Sequence, residues 1–517
     1  MNGARALIET LVDSGVDVCF MNPGTSEMHF VAALDDVPEM RGVLCLFEGV
    51  ASAAADGFAR MADRPAATLL HLGPGLGNAF ANLHNARRGS TPVVNIVGDH
   101  ATYHKQFDAP LESDIDAVAG ACSRWVHRSM SPDSVAADTA QAVAEAQASP
   151  GGVATLILPA DVCWLDAPGA VAPVAAVPAA APTQAQVDRL VELLRAQGRT
   201  VLLIGGRTVR ERGLVAAERI RAATDAVLLC ETFPARQERG AGVPDITRLA
   251  YLAEFAEMQI GDADRLIAVD TPAPVSFFAY PGKASVLTPE SCEIESVDRN
   301  VDPVALLEAV ADALGASEEC AVAAPARPEL PSGALTSETV AQAIGALLPE
   351  NAVVVDEANT SGLFIPGATA GAPRHDWLCL TGGAIGVGLP LATGAAIACP
   401  DRPVLCLQAD GSAMYTIQAL WTQVREQLNV TTVIFSNRSY AILNLELSRV
   451  GAEAGGPKSR AMLDLTDPIM DFVSIASGMG VQAARAETAE EFNEALRAAL
   501  AHQGPSLVEA VIPALGL

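Results

Sequence analysis

Positive charge is scarce in this 517-residue chain: 33 Lys and Arg stand against 61 Asp and Glu, a formal net charge of −28. Such a surface repels phosphate backbones and anionic headgroups, which argues against nucleic acid or anionic lipid as a general partner. An anionic substrate stays open, because a local site can be positive on an acidic protein. A long apolar run is also missing. No stretch reaches ~18 residues without a charge or a turn former, so no membrane span is expected. Met1–Thr10 carries Arg5 and Glu9 in place of an apolar signal core. The ten cysteines, from Cys19 to Cys406, include no Cys-x-x-Cys pair. Several lie in strand-like runs such as Val43–Phe47 and Val404–Leu407, where buried free thiols in a reducing cytosol are the plain reading. A cytoplasmic location is therefore expected.

What the chain does have is apolar material for several cores, with half its residues hydrophobic and 18% charged. Its length is about three times that of a usual domain. Two low-complexity stretches divide it. Ala167–Pro182 contains little except Ala, Pro, Val and Gly, and Ala321–Ser332 carries Pro325, Pro328 and Pro331. Proline fixes φ and removes a backbone donor, so such runs make semi-rigid surface linkers. Domains are accordingly expected at 1–166, 183–320 and 333–517. Each reads as short apolar runs separated by helix-like stretches: Val43–Phe47, Ala67–Leu72, Val93–Val97 and Thr155–Leu158, with Val50–Arg60 helical, in the first; Val201–Ile204, Ala226–Cys230 and Leu266–Val269 in the second; Ala352–Val355, Val404–Gln408, Thr431–Phe435 and Ser506–Val511 in the third. Continuous apolar strands alternating with helices imply parallel sheets covered on both faces. The expected fold class is α/β, with three doubly wound parallel-sheet domains.

The chemistry concentrates in Val404–Ala413 and Thr431–Asn437. Asp410 ends one expected strand and Asn437 ends the next, twenty-seven residues later. A right-handed crossover helix fills that gap, so the two strands can be neighbours with both polar ends on the ligand-binding edge. A carboxylate and an amide oxygen suit a hard cation, and Mg²⁺ completes its octahedron with phosphate oxygens and water. Gly411 and Ser412 let the backbone approach a phosphate at the following helix start. Singly, Asp410 reads as a helix cap and Asn437 as an ordinary turn; together, with Asn437-Arg-Ser-Tyr440, they favour a metal–diphosphate site.

Here the sequence resembles the thiamine-diphosphate enzymes, among them acetolactate synthases, benzoylformate decarboxylases and pyruvate decarboxylases. Their Gly-Asp-Gly…Asn motif appears as Ala409-Asp-Gly411…Asn437, with alanine at the first place. The resemblance implies thiamine diphosphate and Mg²⁺, with Asp410, Asn437 and the backbone oxygen of Ser439 as metal ligands and Gly411, Ser412 and Tyr440 beside the cofactor. It implies three domains, pyrimidine-binding, central and diphosphate-binding. In Leu46–Arg60 it assigns Glu48 to share a proton with the cofactor's pyrimidine ring. In Gly382–Pro390 it assigns the main chain of Gly383 to the pyrimidine amino group and Ile385 to propping the cofactor in a bent form. Asp356–Ser361 resembles the diphosphate loop, which points to Asn359 and Thr360. The family pairs this glutamate with the metal end of another subunit, so a homodimer or homotetramer is implied.

Two residues bear on the substrate. Asn22-Pro-Gly-Thr-Ser-Glu27 resembles the benzoylformate decarboxylase turn, with Thr25 at its substrate-binding serine, and His71 matches that family's proton-transferring histidine. His100, His104 and Glu112, on the loop after Val93–Val97, and Glu446, beyond Asn437, are further candidates. The stretches Asp410–Trp421 and Asn437–Leu443 look most like acetolactate synthase large subunits. No flavin-binding segment is matched between Val201 and Asn300, and Leu229–Pro234 replaces the expected glycine-rich loop, so FAD is not expected. The preferred reading is decarboxylation of a 2-oxo acid, with or without ligation of the activated aldehyde to an aldehyde or a second 2-oxo acid. Acetolactate synthase is the alternative. A dinucleotide oxidoreductase built on Gly73-x-Gly-x-Gly77, whose fingerprint lacks its third glycine at Asn78, and a non-catalytic homologue are remote ones.

Overall fold

A computed structural model describes residues 1–451 and 455–514. The apolar runs become strands with ends shifted by a few residues. The first sheet is built from β1 (Val18–Asn22), β2 (Arg41–Leu44), β3 (Ala66–Leu70), β4 (Val93–Asp99), β5 (Trp125–Arg128) and β6 (Val153–Pro159), in the order β2-β1-β3-β4-β6-β5. The middle segment supplies β7 (Thr200–Ile204), β8 (Val227–Cys230), β9 (Gln237–Arg239), β10 (Thr247–Arg248), β11 (Arg265–Val269) and β12 (Glu293–Ser296). Five of these form the second sheet, β10-β8-β7-β11-β12. The third holds β13 (Val353–Glu357), β14 (His375–Cys379), β15 (Val404–Ala409), β16 (Val430–Ser436), β17 (Gln482–Ala486) and β18 (Ser506–Val511), in the order β17-β18-β16-β15-β13-β14-β9. All pairings are parallel except β9 on β14, so the middle segment lends an antiparallel strand to the edge of the third sheet. That loan was not visible in the sequence, because Gln237–Arg239 is short and polar.

Alternation along the strands explains why each sheet is covered twice. Phe20, Leu70, Val93, Val97 and Ile157 enter one core, while Cys19, Met21, Leu69, Val94, Ile96 and Leu156 enter another on the opposite face. In the second sheet Leu202, Ile204, Ile267 and Val269 part from Val201, Leu203 and Leu266 in the same way. Parallel strands buried on both faces require this continuous apolar character. No helix is long and apolar enough to cross a membrane among the described residues.

One core is shared. Val353, Val355, Val404, Cys406 and Ile434 of the third sheet join Phe20, Leu70 and Val97 of the first in a single cluster. The helices Glu48–Ala62 and Gly388–Ala398 lie between the two sheets and meet through glycine. A side chain on Gly57 would stand 2.1 Å from the Leu391 carbonyl oxygen, and one on Gly394 1.8 Å from that of Ala54. Backbone stands in the way at both places, so the contact cannot relax by rotating a side chain. Gly394→Ala should therefore force the helices apart and cost about 1–3 kcal/mol. Urea unfolding of variant and wild type checks this, and an unchanged midpoint would show that the shared core tolerates the added methyl group.

Candidate active site

Strands β15 and β16 are parallel neighbours, with Ala409 opposite Phe435, so Asp410 and Asn437 emerge on the same edge. Asp410 opens the helix Asp410–Thr416 and is 2% exposed. Its Oδ1 accepts from the Gly411 N–H at 2.7 Å and its Oδ2 from the Arg438 N–H at 2.6 Å. Burial holds its carboxyl above the usual aspartate range. Its recorded partners are backbone N–H groups rather than a cation, and a buried carboxylate in that position gains from one. Asn437 Oδ1 accepts from the Ser439 N–H at 2.9 Å, and its Nδ2 donates to Ser361 at 3.1 Å. The Asp410 carboxylate and the Asn437 amide oxygen, on one sheet edge, are hard oxygen donors of the kind Mg²⁺ takes. No group of three or more His, Cys, Asp or Glu able to hold a metal occurs among the described residues.

The surrounding loops are held to this edge. Asn359, in the left-handed region at φ 52°, donates from Nδ2 to Ser412 at 3.1 Å, and Thr360 follows it in the short turn Asn359–Gly362. Gly411 needs its missing side chain, since a Cβ there would lie 2.5 Å from the Tyr440 ring. In the glycine loop, Gly383 is exposed with φ 75°, and Ile385 packs half-buried against the shared core. Glu357, buried at the end of β13, shapes that loop. Its carboxylate accepts from the N–H groups of Gly386 at 2.5 Å and Gly388 at 2.6 Å, and from Gln408 at 3.0 Å.

Glu48 departs from the sequence expectation in its local setting. Strand β2 stops at Leu44, and Glu48 is the first residue of a helix, with Phe47 extended before it. An acidic side chain is favoured there by the helix dipole. It is 7% exposed and accepts from Asn78 at 2.9 Å. Asn82, on the same helix, donates to the Gly49 carbonyl at 2.9 Å and lies 3.5 Å from that of Gly386. Asn85 donates to Ala384 at 2.8 Å. These amides tie the Glu48 helix to the glycine loop, whereas no recorded bond joins Glu48 to Asp410 or Asn437 among the described residues. The stretch Gly73–Gly77 lies inside the helix Leu72–Arg88 rather than in a turn before it, which removes the basis for a dinucleotide fingerprint.

His71 follows β3 and is gripped by the turn after β1. Its Nδ1 is 2.8 Å from Glu27 Oε2 and 3.3 Å from Ser26 Oγ. Thr25, the residue singled out in that turn, is exposed, and its neighbours Ser26 and Glu27 make the contacts. Glu27, 2% exposed, also accepts from the Gly24 N–H at 2.8 Å and fills the space beside Gly98. The His100 and His104 rings lie tilted with centres 5.4 Å apart on the loop after β4, and Glu112 accepts from Lys105 on the same loop. Glu446 is taken up by the middle segment, where the Tyr280 hydroxyl donates to it at 2.6 Å.

Residues 1–119 match the thiamine pyrophosphate enzyme N-terminal TPP binding domain, and residues 367–510 match the C-terminal TPP binding domain. This chain belongs to the thiamine pyrophosphate enzymes. It is 59% identical over 516 residues to a Mycobacterium tuberculosis protein provisionally named acetolactate synthase large subunit IlvX, with 100% of both chains covered. It is 30% identical to the benzoylformate decarboxylase of Pseudomonas aeruginosa, covering 98% of this chain and 97% of that one. A solved structure, the thiamine diphosphate-dependent 4-hydroxybenzoylformate decarboxylase of Rhodococcus jostii RHA1, shares the fold with a TM-score of 0.86 at 23% identity, covering 99% of each chain. The protein is thus a thiamine-diphosphate-dependent lyase or transferase of the acetolactate synthase and benzoylformate decarboxylase group.

Two buried carboxylates of this thiamine enzyme, Glu27 and Glu357, were not among the expected site residues although they stand within Asn22–Glu27 and Asp356–Ser361. A charged residue among motif residues was the available signal. Burial pushes the Glu357 carboxyl up to about 7 from 4.5. Between those values the folded chain keeps a proton that the unfolded chain has lost, so this group's contribution to stability falls as pH rises from about 4.5 to 7. Glu357→Gln does not titrate. Relative to wild type, its melting temperature should rise across that window, by the equivalent of about 3 kcal/mol at most. Parallel pH profiles of the two proteins would show that Glu357 does not carry the proton.

Proposed function

We propose that this thiamine enzyme is Mg²⁺-dependent and flavin-free, and that it decarboxylates a 2-oxo acid and can pass the activated aldehyde to an acceptor aldehyde or second 2-oxo acid. In this reading Asp410, Asn437 and the Ser439 carbonyl hold the metal. Gly411, Ser412, Asn359 and Thr360 receive the diphosphate, with Tyr440 packed on Gly411. The Gly383 main chain takes the pyrimidine amino group, Ile385 props the bent cofactor, and Glu48 exchanges a proton with the pyrimidine nitrogen. The bound cofactor supplies a nucleophilic carbon and a sink for the electron pair left by CO₂. The working unit in this reading is a homodimer or homotetramer. Domains at 1–166, 183–320 and 333–517 and a cytoplasmic location complete the proposal; ten free cysteines agree with a reducing compartment.

The observation that carries the decarboxylase reading is the grip of Glu27 on His71. A carboxylate on Nδ1 fixes the ring's orientation and leaves Nε2 to deliver a proton to the substrate carbon, with Thr25 on the same turn available to the substrate carboxylate. Absence of flavin is supported by the middle sheet. The backbone N–H groups of Gly206 and Arg207, at the turn where a pyrophosphate would sit, are taken by Glu231 at 2.7 Å and Asp270 at 2.8 Å. Both donors are thus already occupied and are not free to hold a phosphate. The 59% identity to a chain named as an acetolactate synthase large subunit favours a second reading, acetolactate synthesis.

Asp410→Ala should abolish Mg²⁺-dependent binding of thiamine diphosphate, with the circular dichroism of the apo chain unchanged. Calorimetric titration with and without Mg²⁺ reads this, and wild-type affinity in the variant would remove Asp410 from the metal site. His71→Ala should leave cofactor affinity near wild type yet cut aldehyde release by about 10²-fold or more. Unaffected release together with a lower melting temperature would make His71 structural and put the synthase reading ahead.

A further inference from the structure

The edge of the first sheet that carries His71 continues into a polar cluster not used so far. Glu27, which grips His71, packs on Gly98 at the end of β4, next to Asp99. Gly73, two residues after His71, packs on Ser113, next to Glu112. Lys105 closes the cluster, its Nζ lying 3.1 Å from Asp99 Oδ2 and 2.5 Å from Glu112 Oε1. Arg128 bonds both Asp99 and Asp116. The two cations on this edge are therefore engaged by carboxylates of the chain itself.

What remains is unpaired and out of solvent. Glu112 Oε2, Ser113 Oγ and His100 Nε2 are each buried without a hydrogen-bond partner. A buried carboxylate oxygen left in this way is costly, and only a donor relieves it. With Lys105 and Arg128 engaged, a second anionic group on the ligand would meet Glu112 and Asp99 uncompensated. Ser113 and His100 can each donate or accept, but the Glu112 oxygen can only accept, so a ligand group that pairs with it has to donate.

We infer that this cluster recognises the far end of the substrate, and that the 2-oxo acid carries a hydrogen-bond donor there, a hydroxyl or a cationic nitrogen, which pairs with Glu112 and its neighbours Ser113 and His100. The inference rests on the decarboxylase reading, since it places the reacting end at His71 and the donor further along the same edge. A site built to bond a donor rejects the analogue lacking it far more strongly than an apolar pocket rejects a missing methylene.

The experiment is kcat/KM for CO₂ release from matched pairs, with the loaded enzyme: phenylglyoxylate against 4-hydroxyphenylglyoxylate, and 2-oxopentanoate against its 5-hydroxy and 5-guanidino derivatives. At least one donor-bearing acid should exceed its apolar partner by tenfold or more. The hydroxyl and guanidino arms tell a neutral donor from a cationic one. In Glu112→Leu the ratio should fall towards one, and in Glu112→Gln, which keeps the side chain's size and guards against misfolding, it should fall at least threefold. Equal kcat/KM within every pair, or ratios unchanged in both variants, would overturn the inference while leaving decarboxylation intact. Cofactor binding without CO₂ release from any acid would overturn the decarboxylase reading, and the inference with it.

Discussion

The close crossing of the helices Glu48–Ala62 and Gly388–Ala398 is the contact on which the rest of the site depends. Gly57 and Gly394 bring two backbones to distances that no side chain permits, and the first and third sheets then share one apolar core. A buried ion pair within the helix Glu48–Ala62 ties that helix to the third sheet. Arg60, 4% exposed, holds Asp56 through two bonds of 2.7 and 2.6 Å and donates to the Cys379 carbonyl at the end of β14 at 2.8 Å. Every remaining donor of that guanidinium has to be satisfied for such a pair to be tolerated, and Thr381 and the Ala235 carbonyl help to do so. Once the helices are fixed, the glycine loop before Gly388 and the glutamate at the start of the other helix have little freedom left.

A second theme is the use of buried carboxylates to fold loops. Glu357 gathers two N–H groups of the glycine loop, Asp410 the N–H groups of Gly411 and Arg438, and Glu27 the Gly24 N–H together with His71. Each stands at the carboxyl end of a strand or in the turn beyond it, where backbone donors are left over when a strand gives way to a helix or loop. A carboxylate can accept several such bonds at once, which no neutral side chain of that size matches. The middle sheet does the same with Glu231 and Asp270, at a turn that would otherwise be open to an anion. An acidic chain thus uses its excess charge internally, as well as on its surface.

The sequence by itself determined the three sheets and the shared edge on which Asp410 and Asn437 emerge. Continuous Val, Leu and Ile runs can only be buried on both faces, and the spacing of Asp410 and Asn437 is a local consequence of one strand, one crossover and the next strand. Glu48 was legible as a residue but not in its setting, because nothing local shows that β2 ends at Leu44. What only the tertiary structure decided are contacts between segments far apart in the chain: β9 crossing to the third sheet, Glu357 reaching Gly386 and Gly388, Glu27 meeting His71, and Glu446 meeting Tyr280. The physical reason is that a polar side chain's partner is set by packing, which brings together residues tens to hundreds of positions apart, whereas periodicity and motif spacing report only what neighbouring residues impose on one another.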